Sequence, residues 1–183
     1  GKFPDDDVVQ VDHDNVGACK ELVTVLFAKG IQNIAYLGSN MDQMVNRCRY
    51  QGYEEAYRKG KRKLNQDLVY TDLSSRAMVE KAVEELKKSG VECILCQDDY
   101  ICDEVVRKLA RMGVRIPDQM KVASCHYSRI LENYPVTITS LKFNITELGR
   151  RSCQVLLDMI HGKTVPDKTL LDYEIILKES TKG

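Results

Sequence analysis

The chain has 183 residues, of which 43% are hydrophobic and 30% are charged, as is typical of globular domains. This length allows one sizeable hydrophobic core, or about one and a half domains. Lys+Arg and Asp+Glu both number 27, so the net charge is zero and the chain by itself is not expected to grip nucleic acid. No apolar run approaches the roughly 18 residues of a membrane span, and no signal peptide is visible, so no membrane partner is expected.

Strand-like and helix-like segments alternate along the first two thirds of the sequence. The predicted strands lie at 8–11, 34–37, 67–71, 93–96 and 121–124, and the predicted helices at 15–29, 42–59, 75–89 and 100–112. A glycine follows each helix, where glycine commonly ends helices: Gly30, Gly60, Gly90 and Gly113. This alternation predicts an α/β fold with a doubly wound parallel sheet and helices on both faces.

The pattern changes after Asn133, where Tyr134 and Pro135 interrupt the regular alternation. An extended stretch is predicted at 137–143, a helix at 145–161 with a capping box from Asn144 to Glu147, and a last strand at 173–177. The helix carries an apolar stripe that needs a partner, formed by Leu148, Val155, Leu156, Met159 and Ile160. We therefore expect the chain to associate through this stripe.

Seven cysteines are present, and their odd number and irregular spacing favour free thiols in a reducing cytoplasm over a disulfide framework. A zinc site is the alternative, drawn from Cys93, Cys96, Cys102, Cys125 and His126. However, Cys93 and Cys96 lie in a predicted strand whose alternate pleats point them to opposite faces, whereas zinc ligand pairs usually sit on turns. Cysteine also serves as a small buried hydrophobe.

Two arginines, Arg47 and Arg49, lie early on the helix that follows the strand ending near Gly38. Open α/β sheets bind ligands at the carboxyl ends of their strands, so this position faces a polar ligand. The donor fork of arginine suits hydroxyl pairs, carboxylates and phosphates. The alternative is that both side chains belong to a solvated helix face.

Short segments spread over the chain come in a characteristic order. They are VDHDN at 11–15, KGIQNIA at 29–35, RYQGY at 49–53, DD at 98–99, GVRIPD at 113–118, VTITSL at 136–141, ELG at 147–149 and LKEST at 177–181. This ordered set, from about residue 8 to 181, resembles the effector-binding part of LacI/GalR-family bacterial transcription regulators.

The resemblance implies a periplasmic-binding-protein-like type I fold, represented mainly by its C-terminal lobe. Residues 8–134 and 168–181 would form that lobe. Residues 135–167 would form a crossover strand and helix that dock on an N-terminal lobe outside this sequence. Asp12 and His13 would lie at the hinge between the lobes, or serve only as turn residues.

The resemblance also assigns ligand-binding residues. Arg49 matches the family's effector-binding arginine, and Asp98 stands where the family has the asparagine of an Asn-Asp pair. His126 stands where the family commonly has an aspartate that accepts hydrogen bonds from the effector. A histidine can also donate and become cationic, so with Arg47 and Arg49 nearby it would favour an acidic or phosphorylated effector, although Asp98 opposes this.

Three of these interpretations have structural alternatives. Tyr70 and Asp72 end a predicted strand and would flank the same pocket, or serve as a half-buried aromatic and a turn residue. A histidine at a strand end such as His126 is more often a hydrogen-bonded surface group. Asp99, the second acid of the pair, would cap the following helix or contact the ligand.

The sequence carries no nucleophile elbow, P-loop or glycine-rich dinucleotide loop, so we expect neither an enzyme nor a cofactor. The resemblance predicts a cytoplasmic sensor for a sugar, sugar acid or sugar phosphate. It would act as a homodimer and reach operator DNA only through a helix-turn-helix headpiece outside this sequence. A periplasmic sugar-binding transport receptor and a metal- or thiol-dependent enzyme are the alternatives.

Overall fold

The computed structural model describes residues 8–182, which contain eight strands and five α-helices. In chain order these are β1 (Gln10–His13), α1 (Asn15–Ala28), β2 (Ile34–Leu37), α2 (Met44–Lys59), β3 (Val69–Tyr70), α3 (Arg76–Lys88), β4 (Cys93–Cys96), α4 (Asp99–Arg111), β5 (Lys121–Ser124), β6 (Thr139–Phe143), α5 (Ile145–Ile160), β7 (Lys168–Leu171) and β8 (Tyr173–Ile176). None of the helices among these residues is long and apolar enough to cross a membrane.

Six of the strands form one sheet in the order β3-β2-β4-β5-β6-β8. All neighbouring pairs are parallel except β6 and β8, which are antiparallel. The order reverses at β2, because β3 adds on one side of it and β4 on the other. The predicted doubly wound α/β fold is therefore confirmed, with one antiparallel strand at the edge.

Helices cover both faces of this sheet. One core packs α1 and α2 against Tyr36, Cys93 and Leu95. The other packs α3 and α4 against Ile94 and Cys96. Cys93 and Cys96 therefore point to opposite faces, as the strand pattern predicted.

Local sequence explains where most helices begin. The backbone N–H of Gly17 donates to Asp14 at 2.8 Å, and that of Ile101 donates to Asp98 at 2.9 Å, so α1 and α4 start on aspartate caps. At α5 the N–H of Glu147 donates to Asn144 at 2.9 Å. The carboxylate of Glu147 binds Arg150, so only half of the predicted capping box forms.

Strand β1 lies outside the six-stranded sheet and pairs in parallel with β7. The sequence predicted β1 two residues too early and missed β7. The reason is that β7 is a short strand, half exposed, with one neighbour, so it lacks the continuous apolar run of a buried strand.

Strand β6 departs from its predicted place in a crossover to another lobe. It lies in the main sheet between β5 and β8, with Thr139 and Ser140 fully buried. The backbone N–H of Thr139 donates to the Ser180 hydroxyl at 2.8 Å, and the hydroxyls of Thr139 and Thr181 lie 2.7 Å apart. These bonds pair the polar groups that β6 buries in the interior. The chain leaves the main sheet only after Phe143.

Helix α5 packs beside β1, and within the predicted stripe Val155 is buried and Leu148 is half-buried. Leu156 is 57% exposed and Ile160 is 69% exposed, and Met159 is exposed as well. Most of the predicted stripe therefore forms an open apolar face.

Candidate functional site

The carboxyl ends of β2, β4, β5 and β6 meet along one edge of the main sheet. The residues that directly follow these strands are Gly38, Gln97, Cys125 and Asn144. The strand order reverses beside this edge at β2, and open α/β sheets bind ligands where such a reversal opens a crevice. This edge is the candidate ligand site.

Arg49 reaches this edge from the second turn of α2 and is only 8% exposed. Its Nη1 donates to the carbonyl oxygen of Gln97 at 2.9 Å, and its Nε donates to Asn15 Oδ1 at 3.4 Å. Asn15 is itself held through its Nδ2, which donates to the carbonyl of His13 at 3.2 Å. Both acceptors of Arg49 are neutral, and within residues 8–182 no protein acceptor engages its Nη2.

His126 is fixed at the end of β5 by its neighbour Ser124 and by Asp99. The hydroxyl of Ser124 donates to the carbonyl of His126 at 2.7 Å, and Nδ1 of His126 lies 3.1 Å from Asp99 Oδ1. Burial of Asp99 opposes ionisation, but hydrogen bonds from Ser128 and His126 outweigh it and hold the pKa of this carboxyl below its ordinary value. An ionised Asp99 therefore orients the imidazole.

Phe143, the last residue of β6, lies between three basic side chains. Its ring centroid is 6.0 Å from the guanidinium carbon of Arg49, 6.4 Å from the ring of His126 and 4.9 Å from that of His13. The rings of Phe143 and His126 are nearly parallel, at 17°. We call Arg49, Phe143 and His126 the basic wall of the site.

An open pocket of about 820 Å³ lies beside the ends of β2, β3 and β4. Its lining includes Asp72, Asp98, Asn46 and Ser39. One oxygen of Asp98 caps α4, as described above, and this residue also lines the pocket. This side of the site is therefore rich in acceptors and lies next to the basic wall, because Arg49 binds the carbonyl that precedes Asp98.

The structure brings four of the six predicted ligand residues to this edge: Arg49, Asp72, Asp98 and His126. Asp99 both begins α4 and holds His126, so the structural alternative for this residue describes its contacts.

The other two predicted residues have different surroundings. Nη1 of Arg47 donates to the carbonyls of Met41 and Asp42, so this residue holds the loop that lines the pocket without lining the pocket itself. The Tyr70 hydroxyl donates to Glu85 at 3.0 Å, and burial together with this bond raises the pKa of Tyr70 to about 12. Neither side chain lines the pocket in this structure, because nearer partners hold them, and their role in ligand binding stays a prediction.

Sequence reasoning missed Gln97 and Phe143. Gln97 is fully buried, its Oε1 accepts from the Ser39 N–H at 3.1 Å, and its Nε2 has no partner within the described chain. Gln97 directly follows a buried strand, which is the signal that pointed to Asp98 one residue later. Phe143 carried no such signal, because only the fold places β6 beside β5.

All seven cysteines are free thiols. Sγ of Cys19 lies 3.6 Å from Sγ of Cys125, and this contact together with burial raises the pKa of Cys19. Across residues 8–182, no cluster of three or more His, Cys, Asp or Glu side chains is placed to hold a metal ion.

Comparison with known proteins matches residues 23–181 to the periplasmic binding protein-like domain. The regulator CelR of Thermobifida fusca is 27% identical over 97% of this chain and 53% of its own length. The regulator GntR of Escherichia coli K12 is 25% identical over 88% of this chain and 49% of its own length. The chain thus spans about half the length of these relatives.

Among solved structures, a CelR–cellobiose complex superposes with a TM-score of 0.85 at 26% identity, covering 98% of this chain and 56% of the other. The regulator CcpA of Lactococcus lactis gives 0.85 at 23% identity, over 98% and 67% of the two chains. The chain belongs to the periplasmic binding protein-like domain family, and the relatives named here are transcription regulators.

Proposed function

We propose that this chain is the effector-binding part of a bacterial transcription regulator and that it binds a sugar-like metabolite at the carboxyl edge of its main sheet. The observation that supports this most directly is Arg49, a nearly buried guanidinium with free donor capacity at that edge. A related regulator is known in complex with cellobiose.

A division of the effector-binding part into two lobes would explain why one face of α5 is exposed. In our proposal the main sheet and helices α1 to α4 form the C-terminal lobe. The crossover to a second lobe, predicted at 135–167, starts only after Phe143, because β6 lies in the main sheet, and it includes α5 and the β1–β7 pair. The exposed side chains Leu156 and Ile160 would pack on that lobe, which would close over the ligand. The pairing of β1 with β7 outside the main sheet is consistent with the start of such a lobe.

Regulation follows from differential affinity. A ligand that binds the closed arrangement more tightly shifts the population of lobes toward closure. In a homodimer this closure would change how two helix-turn-helix headpieces meet operator DNA. Seven free thiols fit a reducing cytoplasm, and the named relatives are regulators, which favours this function over a transport receptor.

Thermal unfolding of the natural full-length protein tests the proposal. A ligand specific for the native state must raise the unfolding temperature. Wild type should respond to at least one compound among neutral sugars, sugar acids and sugar phosphates, and Arg49→Ala should not. Arg58→Ala is the matched control, because Arg58 lies on the same helix with its side chain 79% exposed. Equal shifts in wild type and Arg49→Ala would place the ligand elsewhere, and no shift with any compound would contradict a sugar-like effector.

A further inference from the structure

A turn with a concentrated positive charge lies at the amino ends of the strands, opposite the candidate ligand site. Five of the six residues 58–63, which end α2 and lead toward β3, are Lys or Arg, and Lys29 follows α1 at the same end. Within residues 8–182 the only carboxylate within 4.0 Å of any of these cations is that of Glu55, at 3.8 Å from Arg58. Since the chain as a whole is neutral, this end of the molecule attracts anions.

Arg62 is held in this turn by neutral groups. Its backbone N–H donates to the carbonyl of Tyr57 at 2.9 Å. Its guanidinium carbon lies 4.3 Å from the ring centroid of Phe27, and its Nη1 donates to Oε1 of Gln32. These contacts fix the guanidinium without neutralising its charge. A side chain that is already held in place loses little conformational freedom when it binds an anion.

A small open pocket of about 280 Å³ lies between this turn and the loop that follows α1. Arg62 and Lys63 line it from the turn, Asn33 lines it from the loop, and Asn65 lines it from the segment that leads to β3. None of the residues that line the pocket carries a carboxylate. Its volume is just below the usual range for ligand pockets, so it suits a compact ligand or one group of a larger ligand.

The hydrogen bonds around the pocket leave donors free for a ligand. Oδ1 of Asn65 accepts from the backbone N–H of Asp67 at 3.1 Å, which leaves Nδ2 of Asn65 as a donor. The neighbouring acid Glu92 is turned toward the backbone, because its Oε2 accepts from the N–H groups of Gln32 at 2.7 Å and Asn33 at 2.8 Å. The pocket therefore offers two cations and an amide donor.

The charge and the number of donors favour a phosphate group over a single carboxylate. A carboxylate has two oxygens and one negative charge, whereas a phosphate monoester has three acceptor oxygens and a charge of about −1.5 to −2 at pH 7. Stacking on Phe27 occupies the face of the Arg62 guanidinium, so the in-plane Nε and Nη2 remain as a two-donor fork. Lys63 adds a point charge.

We propose that this pocket is a second ligand site, which binds the phosphate group of a small molecule through Arg62 and Lys63, with Asn33 and Asn65 as further donors. The ligand would join the loop after α1 to the turn after α2. The site lies at the opposite end of the main sheet from Arg49, so the proposal does not depend on the proposed function.

Isothermal titration of the natural full-length protein with pyrophosphate, inorganic phosphate and malonate tests the proposal. Malonate is the matched probe, because it is a compact dianion whose charges are carboxylates. We expect at least one of the two phosphate probes to bind at least tenfold more tightly than malonate. The ionic strength is held constant, since salt screens the attraction between exposed charges.

Variants separate the pocket from the general charge of the turn. Arg62→Gln and Lys63→Gln should each weaken binding of the phosphate probe at least tenfold. Arg58→Gln is the matched control, because it removes the same charge from the same turn without altering the pocket lining, and we expect a change of less than threefold. Lys63 is exposed, so Lys63→Gln decides the test if Arg62→Gln unfolds the protein.

Three outcomes overturn the proposal. Equal weakening by Arg58→Gln and Lys63→Gln would show diffuse attraction to a charged surface. Binding of malonate as tight as that of both phosphate probes would refute the selection of phosphate. Absence of binding by every probe at millimolar concentration would refute the site itself. None of these outcomes affects the test of Arg49 with sugars, so failure here is distinguishable from failure of the proposed function.

Discussion

Helices α3 and α5 both carry an apolar stripe, yet only that of α3 is covered. Val79, Val83 and Leu86 of α3 are buried against the main sheet and α4. On α5, Leu156 and Ile160 remain open to solvent. An amphipathic pattern therefore predicts a helix and its apolar side, while the rest of the fold decides whether another element covers that side.

The largest expected effect comes from a comparison of a buried isoleucine of the main sheet with an exposed isoleucine of α5, each truncated to alanine. Ile94 is fully buried at the centre of the main sheet, so Ile94→Ala should lower the free energy of unfolding by about 2–5 kcal/mol. Ile160→Ala on the open face of α5 should change it by less than about 0.5 kcal/mol in this chain. Urea denaturation measures both. A large loss in the second variant would show that the α5 face is covered.

A second contrast uses glycines inside helices. A Cβ at Gly52 of α2 would lie 2.4 Å from the carbonyl oxygen of Val16 and 3.0 Å from the backbone nitrogen of Lys20. These backbone atoms belong to α1 and can move only with the helix. Gly52→Ala should therefore push α1 and α2 apart and lower the free energy of unfolding by on the order of 1–3 kcal/mol. Thermal unfolding gives the value, and an unchanged stability would contradict the close contact of the two helices.

Self-association of the chain tests whether the exposed apolar face of α5 binds a second copy of the chain. We expect Leu156→Lys to weaken association at least tenfold, which corresponds to about 1.4 kcal/mol, since it places a charge on the exposed stripe. Sedimentation velocity over a range of concentrations measures this, with the exposed Lys81→Ala on α3 as control. Monomeric wild type at high concentration would contradict the expectation.

Gly149 on α5 provides the opposite case to Gly52. Nothing lies within 4 Å of a Cβ built there, and the residue is within a helix. Gly149→Ala should therefore stabilise the chain by roughly 0.5–1 kcal/mol, because alanine loses less backbone entropy on folding. The sign of the change is the test: destabilisation would mean that this side of α5 has a close neighbour.

The smallest expected effect concerns acid stability. The pKa of Asp99 is lowered in the folded state, so its stabilising contribution is present above the ordinary range near 4 and lost as the pH falls through the folded value. Asp99→Asn should flatten the decline of stability below about pH 5. Glu54→Gln, on the exposed side of α2, is the control and should change the profile little. Equal profiles for wild type and Asp99→Asn would contradict the assigned contacts.

Much of the fold could be predicted from particular stretches of sequence. Strands β2, β4 and β5 have the predicted bounds, because each has buried apolar residues in a short segment that follows a turn. Strand β3 is shorter than predicted, since the chain first makes a 3₁₀ turn at Gln66–Leu68. Strand β7 was missed because its apolar residues are half exposed.

The site was predictable to the extent that strand ends are predictable. Arg49, Asp98 and His126 follow or flank predicted strands, and all three lie at the common edge. Arg47 and Tyr70 satisfied the same spacing, yet nearer partners hold them, and spacing along a sequence does not reveal such competition. Gln97 was not predicted, because a neutral amide next to two acidic residues carries no charge that would indicate a binding role.

The sequence by itself determined the alternation of strands and helices, the helix ends at glycines, and the apolar side of α5, because periodicity and local capping encode these features. Only the tertiary structure decided that β6 joins the main sheet, that β1 pairs with β7, and that Phe143 lies among Arg49, His126 and His13. Phe143 and Arg49 are more than ninety positions apart in the sequence, and the paired residues of β1 and β7 are more than 150 apart. Local sequence patterns cannot specify contacts over such separations.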